Sequence, residues 1–162
     1  WERFPDQTGL IGQFGMGNQA SFFIPYLYNY TNAPWKTQKM TRLLLDSWFQ
    51  DNVFGVWGDE DGGSMSAFAV FTYLGFYPIA PGKPVYGITS PIFSKTSIAL
   101  PNGKRFTIKA NNLSAKNKYI QSARMNGKPL RSLEFSHSQL AAGGILELDM
   151  GPGTDAKWEM PD

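Results

Sequence analysis

Apolar positions recur at helical spacing along the first 80 or so residues and alternate with polar ones after that. GMGNQASFFIPYLYNYT, residues 15–31, is rich in aromatic rings and holds one proline. Pro25 lacks an N–H, so it should kink or delimit a helix there. In NAPWKTQKMTRLLLDSWF, residues 32–49, Pro34 suits a first helical turn. Met40, Leu43, Leu44 and Trp48 then share one stripe, with Lys36, Lys39 and Arg42 elsewhere. SMSAFAVFTYLGF, residues 64–76, has Ser64 as its expected N-cap and Gly75 as its stop. Nearly every face of that helix is apolar, so it should be buried on all sides. Three such helices cannot cover one another completely.

Beyond PIAPGKP (78–84), the expected joint, the period becomes two. Two alternating runs flank Asn102-Gly103, and Asn126-Gly127 repeats this hairpin device. ILELDM (145–150) reads as a further strand, and HSQLAAGG (137–144) as a short helical turn ended by glycines. The expectation is an α+β chain, with helices in 1–80 and a small antiparallel β region in 81–162.

Composition sharpens this picture. Aromatic residues make up 15% of the 162, enough for a real core with rings to spare for a ligand. Charged residues are only 17%, which suggests that part of the surface is covered by something else. The net charge of +2 is scattered rather than gathered in a basic stripe, which speaks against nucleic acid. With no cysteine, the chain has no disulfide and no thiolate metal site. With His137 as its single histidine, a histidine-based zinc site falls away and a Ser-His-Asp triad has little support. No apolar run reaches membrane-spanning length. The chain opens abruptly on Trp1-Glu2-Arg3 and reads as a piece of a longer polypeptide.

WGDEDGGSMSAF, residues 57–68, carries the densest chemistry. Asp59 and Asp61 are two apart, so in extended backbone they point the same way and can converge. Beside the positive end of a helix, such a pair could deprotonate a water or hold a hard cation. The alternative is a solvated acidic loop that only caps the helix. Gly15-x-Gly17-x-x-Ala20 imitates a dinucleotide fingerprint, but without flanking parallel strands a tightly packed helix entry explains it better. Trp35, Trp48 and Trp57 could stack on sugars, although core packing is the commoner use of such rings. Lys36 reads as solvated and His137 as a local hydrogen-bonding residue. Asn29 and Asn112 both open glycosylation sequons, with Asn112 the better acceptor because Asn29 lies in a packed segment.

Two blocks resemble a known family. IPYLYNY followed by PWKTQ, and GVWGDEDGGSMSAF running into YLGFYP, are similar to the C-terminal part of glycoside hydrolase family 92, calcium-dependent exo-α-mannosidases that invert the anomeric centre. The likeness continues through LPNGKRFTIKANN, NKYIQSARMNGKPL and ILELDMGP. It implies that residues 1–80 are the last helices of an (α/α)6 barrel and that residues 81–162 are the β-structured C-terminal region. It also implies a secreted or periplasmic protein acting on α-mannosides of N-glycans or mannans.

By the same resemblance, Asp61 is the general base and Asp59 its partner. Asn18 and Gln19 line the sugar and Ca²⁺ site, and Trp57 and Glu60 complete the sugar-binding set. The family pattern has Glu followed by Pro-Ser-His-His where this chain has Gln19-Ala20-Ser21-Phe22-Phe23. Losing one charge and two imidazoles implies weaker calcium binding and altered linkage recognition. The family's general acid is a glutamate upstream of this segment, so the chain alone is expected to be inactive and to need the remainder of the enzyme. The rival reading is a non-catalytic carbohydrate-binding fragment, in which rings and acids grip sugar without cleaving it.

Overall fold

The computed structural model describes residues 10–11, 14–53, 55–58 and 60–161. It opens on a minimal antiparallel pair, β1 (Leu10–Ile11) with β2 (Phe14–Gly15). The aromatic segment that follows is not an α-helix. It forms a 3-10 turn, Gln19–Ser21, and a 3-10 helix, Ile24–Tyr30, with Pro25 in the first turn of the latter. The chemistry of the segment explains the tighter winding. Pro25 supplies no N–H, and the aromatic residues are indifferent helix formers. The chain therefore closes i to i+3 bonds such as Tyr26 N to Phe23 O at 2.9 Å.

α1 (Trp35–Trp48) starts after Pro34, as expected. Its buried face is displaced from the predicted stripe. Thr37, Gln38, Thr41, Leu44 and Leu45 are buried, whereas Leu43 is 40% exposed. Hydrogen bonding makes the polar face buriable. The Thr41 hydroxyl donates to Thr37 O at 2.9 Å and pairs with the Thr89 hydroxyl at 2.6 Å. Gln38 Oε1 accepts the Ile120 amide at 2.7 Å.

α2 (Ser64–Leu74) stops at Gly75, whose φ of 97° is the left-handed cap the sequence promised. At its start the capping position is Gly63, with Ser64 already inside the helix and its hydroxyl donating to Asp61 O at 2.9 Å. Met65, Phe68, Ala69 and Thr72 are buried, but Val70 is 57% exposed, so the helix is not enclosed on all sides here. These helices enclose a cluster of Met16, Phe22, Tyr26, Leu44, Met65 and Phe68. The Tyr26 hydroxyl reaches Thr72 Oγ1 at 2.9 Å inside it.

The second half forms two sheets. β3 (Phe76–Tyr77), β4 (Val85–Ile88) and β9 (Glu134–Ser136) pair antiparallel in that order, with residues 78–84 joining β3 to β4. β5 (Lys95–Ala99), β6 (Arg105–Asn111), β7 (Tyr119–Met125), β8 (Lys128–Pro129) and β10 (Gly144–Gly151) form a sheet ordered β5-β6-β10-β7-β8. Both predicted hairpins are present. Asn126 and Gly127 have φ of 52° and 79°, the two-residue turn their sequence favours. At the other, Gly103 N bonds Leu100 O, and only Gly103 of the Asn-Gly pair has positive φ, which gives a three-residue turn.

The expected antiparallel region is in fact mixed. β10 runs antiparallel to β7 but parallel to β6. α3 (His137–Ala141), closed by a Ser136–Gln139 capping box, returns the chain so that β10 inserts between β6 and β7. Hairpin signals report neighbours in sequence, and this insertion is a long-range event.

The main core lies on one face of the large sheet: Phe106, Ile108, Ala110, Ile120, Leu146, Leu148 and Met150, with Phe135 from β9 and Phe76 from β3. Phe71 and Leu74 of α2 pack against it, joining the helical and β layers. On the opposite face Asp149 accepts from Asn111 Nδ2 at 2.8 Å and Ser122 Oγ at 2.7 Å, with Arg124 Nη1 at 3.1 Å. Those two hydrogen bonds from Asn111 and Ser122 hold its carboxyl below the ordinary carboxylate value, outweighing desolvation, with smaller help from Arg124.

Two measurements test this picture. Gln38→Met keeps the volume but orphans the Ile120 amide, so stability should fall by about 1–3 kcal/mol. The check is a lower denaturant midpoint together with faster Ile120 amide exchange. Because the folded Asp149 carboxyl titrates below its ordinary value of 3.8, its stabilisation is complete above that value and disappears as pH falls through the lower folded one. The stability gap between wild type and Asp149→Asn should be constant near neutrality and close in acid.

Candidate functional site

Two short loops at the helical end carry the predicted site residues. One is the turn Met16-Gly17-Asn18-Gln19, leading into the first 3-10 turn. Asn18 adopts extended backbone, and its Oδ1 accepts the Ala20 amide at 3.0 Å, capping that turn. Met16 is fully buried and anchors the loop in the helical cluster.

The other loop runs from Trp57 to Gly63 into α2. Trp57 is 41% exposed and meets Trp48 edge-to-face, with ring centroids 5.0 Å apart. α1 presents Trp48 from its last turn, so one indole is rooted among the core residues and the other is offered to solvent. Asp59 lies outside the described residues. Asp61 is exposed and sits at φ 45°, a left-handed conformation that Asp tolerates better than most side chains. Its carbonyl is held by Ser64 Oγ.

Glu60 is engaged differently from its neighbours. Its carbonyl accepts the Ser64 amide at 2.9 Å, and its carboxylate oxygens lie 3.2 and 3.3 Å from the Ser66 amide. Negative charge on the first turn of α2 is favourable. Of the two described acids in the row, Glu60 is the one whose carboxylate reaches a helix amide.

The two loops touch backbone to backbone. Gly58, at φ 83°, lies against Gly17 so closely that a Cβ there would fall 2.9 Å from the Gly17 carbonyl oxygen and nearer still to its Cα. Segments 41 residues apart thus bring Asn18 and Gln19 to the same end of the helical layer as Trp57 and Asp61. The sequence singled out both glycine-rich runs. It did not reveal that they pack on each other, because glycine serves turns, caps and close approaches alike.

Asn18 and Gln19 carry hard oxygen donors suited to calcium, and Asn18 Oδ1 keeps a second lone pair beyond its capping bond. Two amide oxygens are a minority of the six to eight that Ca²⁺ takes. Among the described residues no group of three or more His, Asp or Glu side chains is placed to hold a metal. The fit is therefore that of a partial ligand set. A groove of about 500 Å³ lies elsewhere, between β8 and α3, and has no carboxylate in its lining, which includes Asn126, Lys128 and Gln139.

The remaining candidates are local. His137 Nδ1 bonds the Tyr86 hydroxyl at 2.8 Å. Lys36 is not merely solvated, because its ammonium lies over Tyr28 and Trp35 at 5.6 and 5.7 Å. Trp35 packs edge-on against Tyr119, which ties the start of α1 to β7. Asn29 is buried, with Nδ2 donating to Ile88 O at 3.0 Å, whereas Asn112 is exposed at φ 59°.

The glycosyl hydrolase family 92 catalytic domain matches residues 2–152. An uncharacterized secreted glycosidase of Arthroderma benhamiae is 38% identical over 139 residues, spanning 84% of this chain and 18% of that protein. The family GH92 α-mannosidase BT3965 from Bacteroides thetaiotaomicron superposes with a TM-score of 0.88 at 33% identity, covering 97% of this chain and 21% of that one. The family GH92 inverting mannosidase BT2199 from the same species superposes at 0.84 with 39% identity, over 93% of this chain and 20% of that one. The chain spans about a fifth of the length of these relatives. With a family match across nearly all of its length and the same fold as solved members, the chain belongs to glycosyl hydrolase family 92.

Proposed function

We propose that this chain forms the general-base side of the active site of a calcium-dependent, exo-acting, inverting α-mannosidase that hydrolyses α-mannosides of N-glycans or mannans. The observation that carries this reading is the backbone contact between Gly17 and Gly58, the first adjoining Asn18 in sequence and the second adjoining the acidic run. Family membership and solved relatives named as mannosidases support the substrate class, and one of them was solved with mannoimidazole.

In this mechanism Asp61 removes a proton from the attacking water, and Asp59 orients that water. Inversion requires the general acid on the opposite side of the sugar, roughly 6.5–9.5 Å from the base, which is too far for two acids so near each other in sequence. The acid therefore comes from the remainder of the enzyme. Asn18 and Gln19 line the sugar and contribute ligands to Ca²⁺, with the half-exposed Trp57 ring as a stacking face and Glu60 at the margin. A bound Ca²⁺ would act as a Lewis acid and template on the sugar hydroxyls.

A partly uncovered helical layer supports an origin in a larger (α/α)6 barrel. Phe23, Ile24, Leu27, Leu43, Val56 and Val70 are each at least 40% exposed, and Val56 and Val70 line a groove of about 360 Å³ with Phe49 and Tyr73. A secreted or periplasmic location follows the secreted relative. No helix of the described residues is long and apolar enough to cross a membrane.

In the full-length enzyme, Asp61→Asn should lower kcat by about 10²–10⁴-fold. Stability should change by no more than about 0.5 kcal/mol, since Asn also accepts the left-handed backbone at 61. An unchanged rate would remove Asp61 from the chemistry. Residues 1–162 alone should release no mannose, and mannoside binding without turnover by the full-length protein would favour the carbohydrate-binding reading.

A further inference from the structure

Gly58 combines a left-handed backbone with a backbone approach tighter than that of Gly143, where a Cβ would lie 3.0 Å from Arg105 O. Its φ of 83° lies in the left-handed region, and a Cβ on it would collide with backbone atoms of Gly17. Gly62, Gly63 and Gly82 share the first feature, with φ of 65°, 94° and 83°, but a Cβ on any of them would meet nothing within 4 Å. The collision at 58 is with backbone, which cannot turn aside as a side-chain tip can. Restoring ordinary carbon–carbon separation, 3.5–4.0 Å, needs the two loops to part by roughly 1 Å. Gly17 is buried and held by its neighbour Met16, so the displacement would fall on the Trp57–Asp61 loop.

We propose that Gly58 is a positioning residue. Its bare Cα seats against Gly17 and sets the distance between the loop that holds the sugar, at Asn18 and Gln19, and the loop that carries the base, Asp61. The proposal rests on the reading of Asp61 as the base. Because the contact fixes the base relative to the bound sugar, widening it should reduce the chemical step more than ground-state binding. A displacement near 1 Å costs about 10²-fold in rate.

The test uses the full-length enzyme and an α-mannoside. Gly58→Ala carries the Cβ plus backbone strain. Gly58→Asn carries the Cβ with far less strain, since Asn accepts positive φ, and guards against loss of fold. Gly82→Asn is the control, matched in φ, open in space and remote in the β3–β4 connection. The expected result is a fall of about 10²-fold in kcat for both Gly58 variants, with KM within about threefold of wild type, while Gly82→Asn keeps wild-type kinetics. A folded Gly58→Asn enzyme with wild-type kcat, or one whose KM rises while kcat holds, overturns the positioning role. If Asp61→Asn is itself as active as wild type, the catalytic reading fails and takes this proposal with it. If Asp61→Asn is crippled but Gly58→Asn is not, only the positioning claim fails.

Discussion

A seam of buried amides and hydroxyls joins the helical layer to the sheets, and the rest of the architecture depends on it. Gln38 on α1 accepts the Ile120 amide of β7, Asn29 donates to Ile88 O of β4, and Thr41 pairs with Thr89. Each group is withdrawn from water, so each would be costly if left unpaired. An apolar interface could slide by a residue or rotate by part of a turn with little penalty. A seam of directional bonds cannot, and it sets the azimuth of α1 and its distance from β7.

That constraint propagates to the site end of the helical layer. With α1 held, Trp48 is fixed at its last turn and gives Trp57 an edge to rest on. Leu44, Met65 and Phe68 then close around Met16, which seats the Gly17 turn. Gly58 meets that turn, while Glu60 and Gly63 launch α2. The acidic run is thus divided by role. Glu60 stabilises a helix start, and Asp61, on strained but permitted backbone, is presented to solvent. The uncovered apolar side chains of this layer contrast with the well-closed sheet core, as expected if the sheet is self-sufficient and the helices are a sector of something wider.

Several elements were legible from residues alone because their signals are local. Gly75 ends α2, Asn126-Gly127 turns a hairpin, and the run from His137 forms a short helix, each through bonds among residues a few positions apart. The family likeness was legible for a related reason: IPYLYNY…PWKTQ and WGDED…LGFYP are long, specific strings. Pro25 stands at the start of a helix, as its missing N–H allows, but aromatic periodicity cannot separate i+3 from i+4 bonding, so the 3-10 winding is not legible in the sequence. The buried face of α1 differs from its apolar stripe because threonine and glutamine count as polar until their partners are known.

By itself, then, the sequence determined the family, the change from helix to strand near residue 80, the hairpin turns and the glycine stop of α2. All of these rest on local stereochemistry or on strings too specific to recur by chance. Tertiary structure alone decided the insertion of β10 between β6 and β7, the burial of a polar face on α1, and the meeting of Gly17 with Gly58. Each of these joins residues tens of positions apart, and their pairing depends on packing and hydrogen-bond satisfaction that no local pattern encodes.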